Sequence, residues 1–147
     1  MKTCTLILIG LLGAASIFAQ HHRQSELTPH SGSLFHQITE AIEACTGHKA
    51  ANVEKLQYLC GITEIALVVH YRSSPGKPYT QGYIWNSGKL IHVKCFGTGC
   101  ACYVVTGSLP NGQATVRCQC NSCTMAIQEF LTDHSLQRLY SFLQANP

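Results

Sequence analysis

The sequence predicts an α+β fold: one antiparallel sheet of about five strands, packed against N- and C-terminal helices and held by disulfides. Three observations predict it. Apolar residues follow a helical spacing at both ends of the chain. Between them they follow a period of two, in β-branched runs bounded by Gly, Pro and Asn. Strands grouped between helices mean segregated layers rather than alternating β-α units. Eight cysteines downstream of a leader-like segment add covalent staples.

The N-terminal 1–19 (MKTCTLILIGLLGAASIFA) has one basic residue, Lys2, a short apolar run and then small residues. That is the layout of a secretory signal peptide with a cut after Ala19, or alternatively after Ala15. The apolar run is shorter than the roughly 20 residues that span a bilayer. Residues 20–32 are polar, with Pro29 and Gly32, and read as a flexible arm. Residues 33–147 form a single disulfide-rich domain.

In that domain Leu34, Phe35, Ile38, Ala41, Ile42 and Cys45 define a helix, with Ser33 as its cap and Gly47 just past its end. Val53, Leu56 and Cys60 suggest a second, shorter helix over 52–60 that stops at Gly61. Residues 62–72 (ITEIALVVHYR) are apolar on both faces at Ala66-Leu67-Val68, as a central strand requires. After the turn cluster at 73–78, strands 79–85 and 89–95 flank Asn86-Ser87-Gly88, a hairpin turn. Strands 100–106 and 114–120 form another hairpin around Pro110-Asn111-Gly112. From Thr124 two helical stripes follow, Ile127-Phe130-Leu131 and Leu136-Leu139-Tyr140-Leu143. They are out of phase, so a break capped by Thr132 or Asp133 separates them.

Cleavage after Ala19 removes Cys4 and leaves Cys45, Cys60, Cys95, Cys100, Cys102, Cys118, Cys120 and Cys123. An even number in an oxidising compartment predicts four disulfides, and eight cysteines allow 105 connectivities. A hairpin turning about Pro110 faces Cys100 with Cys120 and Cys102 with Cys118, at separations a disulfide accepts. A turn about Asn111-Gly112 faces Cys100 with Cys123 instead. Cys45 and Cys60 then bridge the two N-terminal helices or pin them to the sheet. A structural zinc is the competing use of these thiols, but their spacing is not that of paired C-x2-C knuckles. A redox-active C-x2-C at 120–123, opening a helix, is a further alternative.

Charged residues make up 12% of the chain, about half the usual share, which excludes a disordered charged tail protein. A net charge of +3, or +2 without Lys2, is too small for a nucleic-acid binder. No N-x-S/T sequon and no strongly basic amphipathic helix is present. Tyr79, Tyr83 and Trp85 share one face of a strand, a stripe suited to sugar rings or a partner protein, and equally to a covered core face. Gln20-His21-His22 at a processed terminus offers nitrogen donors for copper. Glu64 with His70 or His92, and Arg72 for phosphate, is the only constellation resembling a ribonuclease-type hydrolase. No G-x-S-x-G elbow exists.

The segment Cys95-Phe96-Gly97-Thr98-Gly99-Cys100-Ala101 is similar to killer-toxin-like proteins of fungi over those seven residues, while Cys118-Gln119-Cys120 departs from that pattern. The whole has the style of small secreted cysteine-rich proteins that fungi and parasites release toward hosts or competitors. The expectation is a secreted, monomeric, non-enzymatic protein of effector, toxin or defence type. It would bind an extracellular protein or surface glycan, with no cofactor, no nucleic acid and no membrane insertion.

Overall fold

The computed structural model describes residues 24–73, 75–97, 102–120 and 122–147. The elements are β1 (Gln24–Leu27), α1 (Ser33–Thr46), β2 (Val53–Cys60), β3 (Ile65–Arg72), β4 (Pro78–Trp85), β5 (Lys89–Phe96), β6 (Tyr103–Ser108), β7 (Ala114–Gln119), β8 (Thr124–Leu131) and α2 (His134–Ala145). Six strands form one antiparallel sheet in the order β1-β2-β3-β4-β5-β8. The β6-β7 hairpin is a separate two-stranded layer. The α+β class and the terminal helices are as the sequence predicts.

Both helices cover one face of the sheet. Phe35, Ile38 and Ile42 of α1 and Tyr140 and Leu143 of α2 meet Leu56, Leu67, Val69, Tyr83 and Trp85. The hairpin covers the middle of the other face, where Val104, Ala114 and Val116 meet Leu59, Ala66, Val68 and Val93. This sandwiching explains why β3 is apolar on both sides: its odd residues face the helices and its even ones the hairpin. Gly82 on β4 allows the hairpin to approach closely; a Cβ there would lie 2.5 Å from Val104 Cγ1 and 3.1 Å from Val116 Cγ2.

Local sequence sets the element ends. Gly47 closes α1 in the left-handed region (φ 73°), its N–H donating to Glu43 O at 2.7 Å. The N-cap of this helix is Gly32, so Ser33 is its first residue rather than its cap. Asn86 Oδ1 accepts from the N–H groups of Gly88 and Lys89 and so turns β4 into β5. Asp133 Oδ1 caps α2 by accepting from Leu136 N at 2.9 Å.

Several expectations are corrected. Residues 53–60 form a strand, not a helix, because Leu56, Tyr58 and Cys60 alternate toward the helix layer beside β3. Residues 124–131 are also a strand; eight consecutive pairings with β5 outweigh the helix-like spacing of Ile127, Phe130 and Leu131. Gln24–Leu27, inside the expected arm, pairs with β2 as an edge strand. The β6-β7 register opposes Tyr103 to Gln119, between the two registers that the turn residues allowed. The signal segment 1–19 and the Gln20-His21-His22 motif lie outside the described residues.

Candidate functional site

The cysteines divide into structural bridges and thiols. Cys95 on β5 is bonded to Cys118 on β7 (Cα–Cα 5.6 Å), and Cys102 to Cys123 (6.0 Å). Both bonds tie the hairpin layer to the β5-β8 side of the sheet. Cys120 is also disulfide-bonded, and Cys100 lies outside the described residues. The sulfurs of Cys102, Cys120 and Cys123 lie within 4.8 Å of one another, yet all are oxidised and offer no thiolate to a metal. Cys123 precedes a strand, so the 120–123 pair does not open a helix.

Cys45 and Cys60 are free thiols, contrary to the four-disulfide expectation. The cause is the strand at β2. It places Cys60 inside the core, its Sγ donating to Leu143 O at 3.5 Å, while Cys45 on α1 faces Leu131 O at 3.7 Å. Burial pushes the Cys60 thiol up to about 11.

The aromatic stripe is likewise divided. Tyr83 and Trp85 are fully buried core residues, so neither is available to a partner. Tyr79, nearer the open end of β4, is 42% exposed and stacks on buried Tyr71 with centroids 5.1 Å apart and planes 8° apart. That stack lies on the helix-covered face of the sheet, where Tyr71 meets Tyr83; Tyr103, at the start of β6 and 48% exposed, borders a groove on the hairpin side. The sequence reading missed Tyr103, which belongs to a different layer and could be placed at the groove only once the hairpin's position was known.

This groove, about 570 Å³, lies between β6 and the open ends of β2, β3 and β4. Its polar wall is a directed hydrogen-bond chain. Lys55 Nζ lies 3.3 Å from Glu26, and Gln57 Nε2 donates to Glu26 Oε2 at 3.1 Å. A carboxylate accepts only, so the Gln57 carbonyl must face His70, and His70 Nε2–H must be the donor at 3.0 Å. The His70 Nδ1 is therefore the ring nitrogen that carries the lone pair. Burial and the Lys55 ammonium lower the His70 pKa, so the ring is neutral near pH 7. Thr80 stands opposite His70, and its Oγ1 accepts from Val104 N at 2.8 Å, which fixes β6 as the far wall and leaves the hydroxyl hydrogen to donate. At the rim Arg72 is bound to Glu54 and donates to Gly76 O at 3.2 Å.

The hydrolase constellation does not assemble. Glu64 precedes β3 and is buried, its carboxylate accepting from Thr63 Oγ1. His70 lies six residues along the strand, about 20 Å away at the usual rise per residue. His92 points to the opposite face, where it stacks on Tyr83 at 4.9 Å and meets the His48 ring at 4.5 Å. There Tyr83 OH donates to Gln81 and takes the His48 Nδ1 hydrogen at 2.8 Å.

Comparison with protein-family models, curated proteins and solved structures finds no match. Among the described residues no helix is long and apolar enough to cross a membrane.

Proposed function

We propose that the protein is secreted and acts, without catalysis, by binding an extracellular partner in the groove between β6 and the ends of β2–β4. The observation that carries this reading is a groove of about 570 Å³ on the hairpin side of the sheet, where exposed Tyr103 borders the preset polar groups of His70 and Thr80 on a rigid frame. Such exposed aromatics are typical anchors of recognition. Disulfides between layers suit an oxidising compartment and fit the leader-like segment 1–19. A role as an effector, toxin or defence ligand follows if the partner is displayed by another cell. The hydrolase alternative draws less support, because Glu54 is held by Arg72, and Glu26, which reaches His70 only through Gln57, is held by Lys55.

The test has two parts. Protein recovered from the medium of a secreting host should begin at Gln20, or at Ser16 if the cut follows Ala15. Labelled wild-type protein should be retained on intact cells or cell-wall preparations, and a His70→Phe, Tyr103→Ser variant of equal thermal stability should not. Equal retention of the two would remove the groove as the binding site.

A further inference from the structure

We infer that β8 is the contact edge of a symmetric dimer: it pairs antiparallel with β8 of a second copy, joining two six-stranded sheets into one. This goes beyond the groove and replaces the monomer expected from the sequence. The sheet has two edges, and they are built differently. β1 is four residues long, and its Glu26 is tied to Lys55 and Gln57. β8 is eight residues long, pairs with β5 throughout without a register shift, and has no strand on its outer side. Folded proteins blunt such an edge with lysine, proline, a bulge or short length. β8 has none of these, and its one charge, Glu129, is committed to Lys89 at 2.8 Å. It instead exposes Met125 (43%), Ile127 (62%) and Leu131 (82%).

The backbone direction along this edge is fixed by two hydrogen bonds. Asn86 N–H donates to Lys89 O, so odd-numbered residues of β5 bond to β4 and even-numbered ones to β8. Thr132 N–H donates to Gly88 O, in the same phase. The even residues of β8 therefore bond to β5, and the N–H and C=O groups of Met125, Ile127, Glu129 and Leu131 point outward. Among the described residues, the one group meeting them is the Cys45 thiol, 3.7 Å from Leu131 O. The side chains of these four lie on the hairpin side, opposite Cys95, Val93, Ile91 and Lys89.

A second copy is the occupant because the edge complements itself. A two-fold axis perpendicular to the sheet reverses the strand and keeps both hairpins on one side. Outward-pointing residues must then face outward-pointing residues. One register, centred on Gln128, pairs all four among themselves: Met125 opposite Leu131 of the second copy, and Ile127 opposite its Glu129. That supplies about eight backbone hydrogen bonds. Met125 and Leu131 cover each other, and on the helix side Ala126 meets Phe130, small against large. The single charge never faces itself, so like charges stay apart. One strand edge is smaller than the roughly 800 Å² per partner of a standard interface, so the dissociation constant is on the order of 10–100 μM.

The experiment combines sedimentation with amide exchange on the full mature chain, from about 5 μM to 1 mM. The mass should rise from monomer to dimer across that range. The Met125, Ile127, Glu129 and Leu131 amides should gain about tenfold protection as it does, while Ala126, Gln128 and Phe130 stay protected throughout. Ile127→Pro removes an outward N–H that β5 does not use, and should weaken the dimer more than tenfold with its fold intact. Ile127→Lys, at an exposed position, should do the same if the proline variant misfolds. The register is read by trapping in a Cys45→Ser background. Gln128→Cys sits about 4.5 Å from its own copy and should oxidise to a covalent dimer. Ile127→Cys is offset by two residues, about 7 Å along the strand, and should not. A monomer at every concentration, a dimer indifferent to both Ile127 variants, or faster trapping through position 127 would overturn the inference. So would exchange protection that appears only with a foreign extended peptide. Cell retention through His70 and Tyr103 is a separate measurement, so either reading can fail alone.

Discussion

Acid should destabilise this protein through His92, and the size of the loss follows from its surroundings. The ring is 2% exposed between Tyr83 and His48, and its Nε2 has no hydrogen-bond partner among the described residues. Burial, and then the neighbouring His48 and Lys94, lower its pKa from 6.5 to about 4. The unfolded chain takes up the proton near pH 6.5 and the folded one only near 4. The stabilising contribution is thus fully present above about pH 6.5 and is lost as pH falls toward 4. The shift amounts to about 3 kcal/mol, or roughly 10 °C in melting temperature for a domain of this size. Trp85 is the single tryptophan and is buried, so its fluorescence reports unfolding. Urea unfolding at pH 7, 5.5 and 4 at constant ionic strength, for wild type and His92→Phe, measures the effect. Phenylalanine keeps the stacking on Tyr83, loses no hydrogen bond and cannot titrate. The variant should equal or exceed wild type at pH 7 and lose about 3 kcal/mol less on acidification. His48 and His70, also lowered chiefly by burial, act in the same direction and leave a residual slope in both proteins. Parallel acid limbs for the two proteins would refute the reasoning.

Gly82→Ala should cost about 1–3 kcal/mol, because the new methyl meets the stiff Val104 and Val116 side chains and pushes the hairpin off the sheet; unchanged denaturation would show that the hairpin is not seated there. Asp133→Ala should cost about 1 kcal/mol by removing the cap on Leu136 N, read as a shifted urea midpoint at constant slope. Alkylation with mass mapping should leave Cys60 unmodified in native protein and modify Cys45 slowly, whereas unfolding without reductant should expose both; recovery of either in a disulfide would contradict the structure. Replacing Cys95 and Cys118 together by serine should cost about 2–4 kcal/mol in the same denaturation assay.

The parts legible in the sequence are those where local and tertiary demands coincide. β3 is recognisable because helices on one side and the hairpin on the other both require apolar residues. Asn86 and Asp133 act through their own nearby backbone, so the turn and the cap they form could be read from neighbouring residues. β2 and β8 were not legible, because each has apolar residues three or four apart that fit a helix as well as a strand. Pairing with a neighbouring strand decides both, and that neighbour is distant in sequence for β8. β8 is also mostly exposed, so no alternation of burial is imposed on it. Disulfide partners depend on how two layers are stacked, which explains why Cys118 pairs with Cys95 across layers rather than with Cys102 across the hairpin. The groove was half visible: His70 stood out on its strand, but the opposite wall comes from β6.

The Cys95–Cys118 and Cys102–Cys123 bridges are interleaved along the chain. A protease that nicks the 109–113 bend would therefore release nothing, since these bridges alone keep both halves joined. That bend is a natural place to splice in a foreign peptide or an affinity tag, and a scissile sequence installed there would yield a two-chain molecule that separates only after reduction.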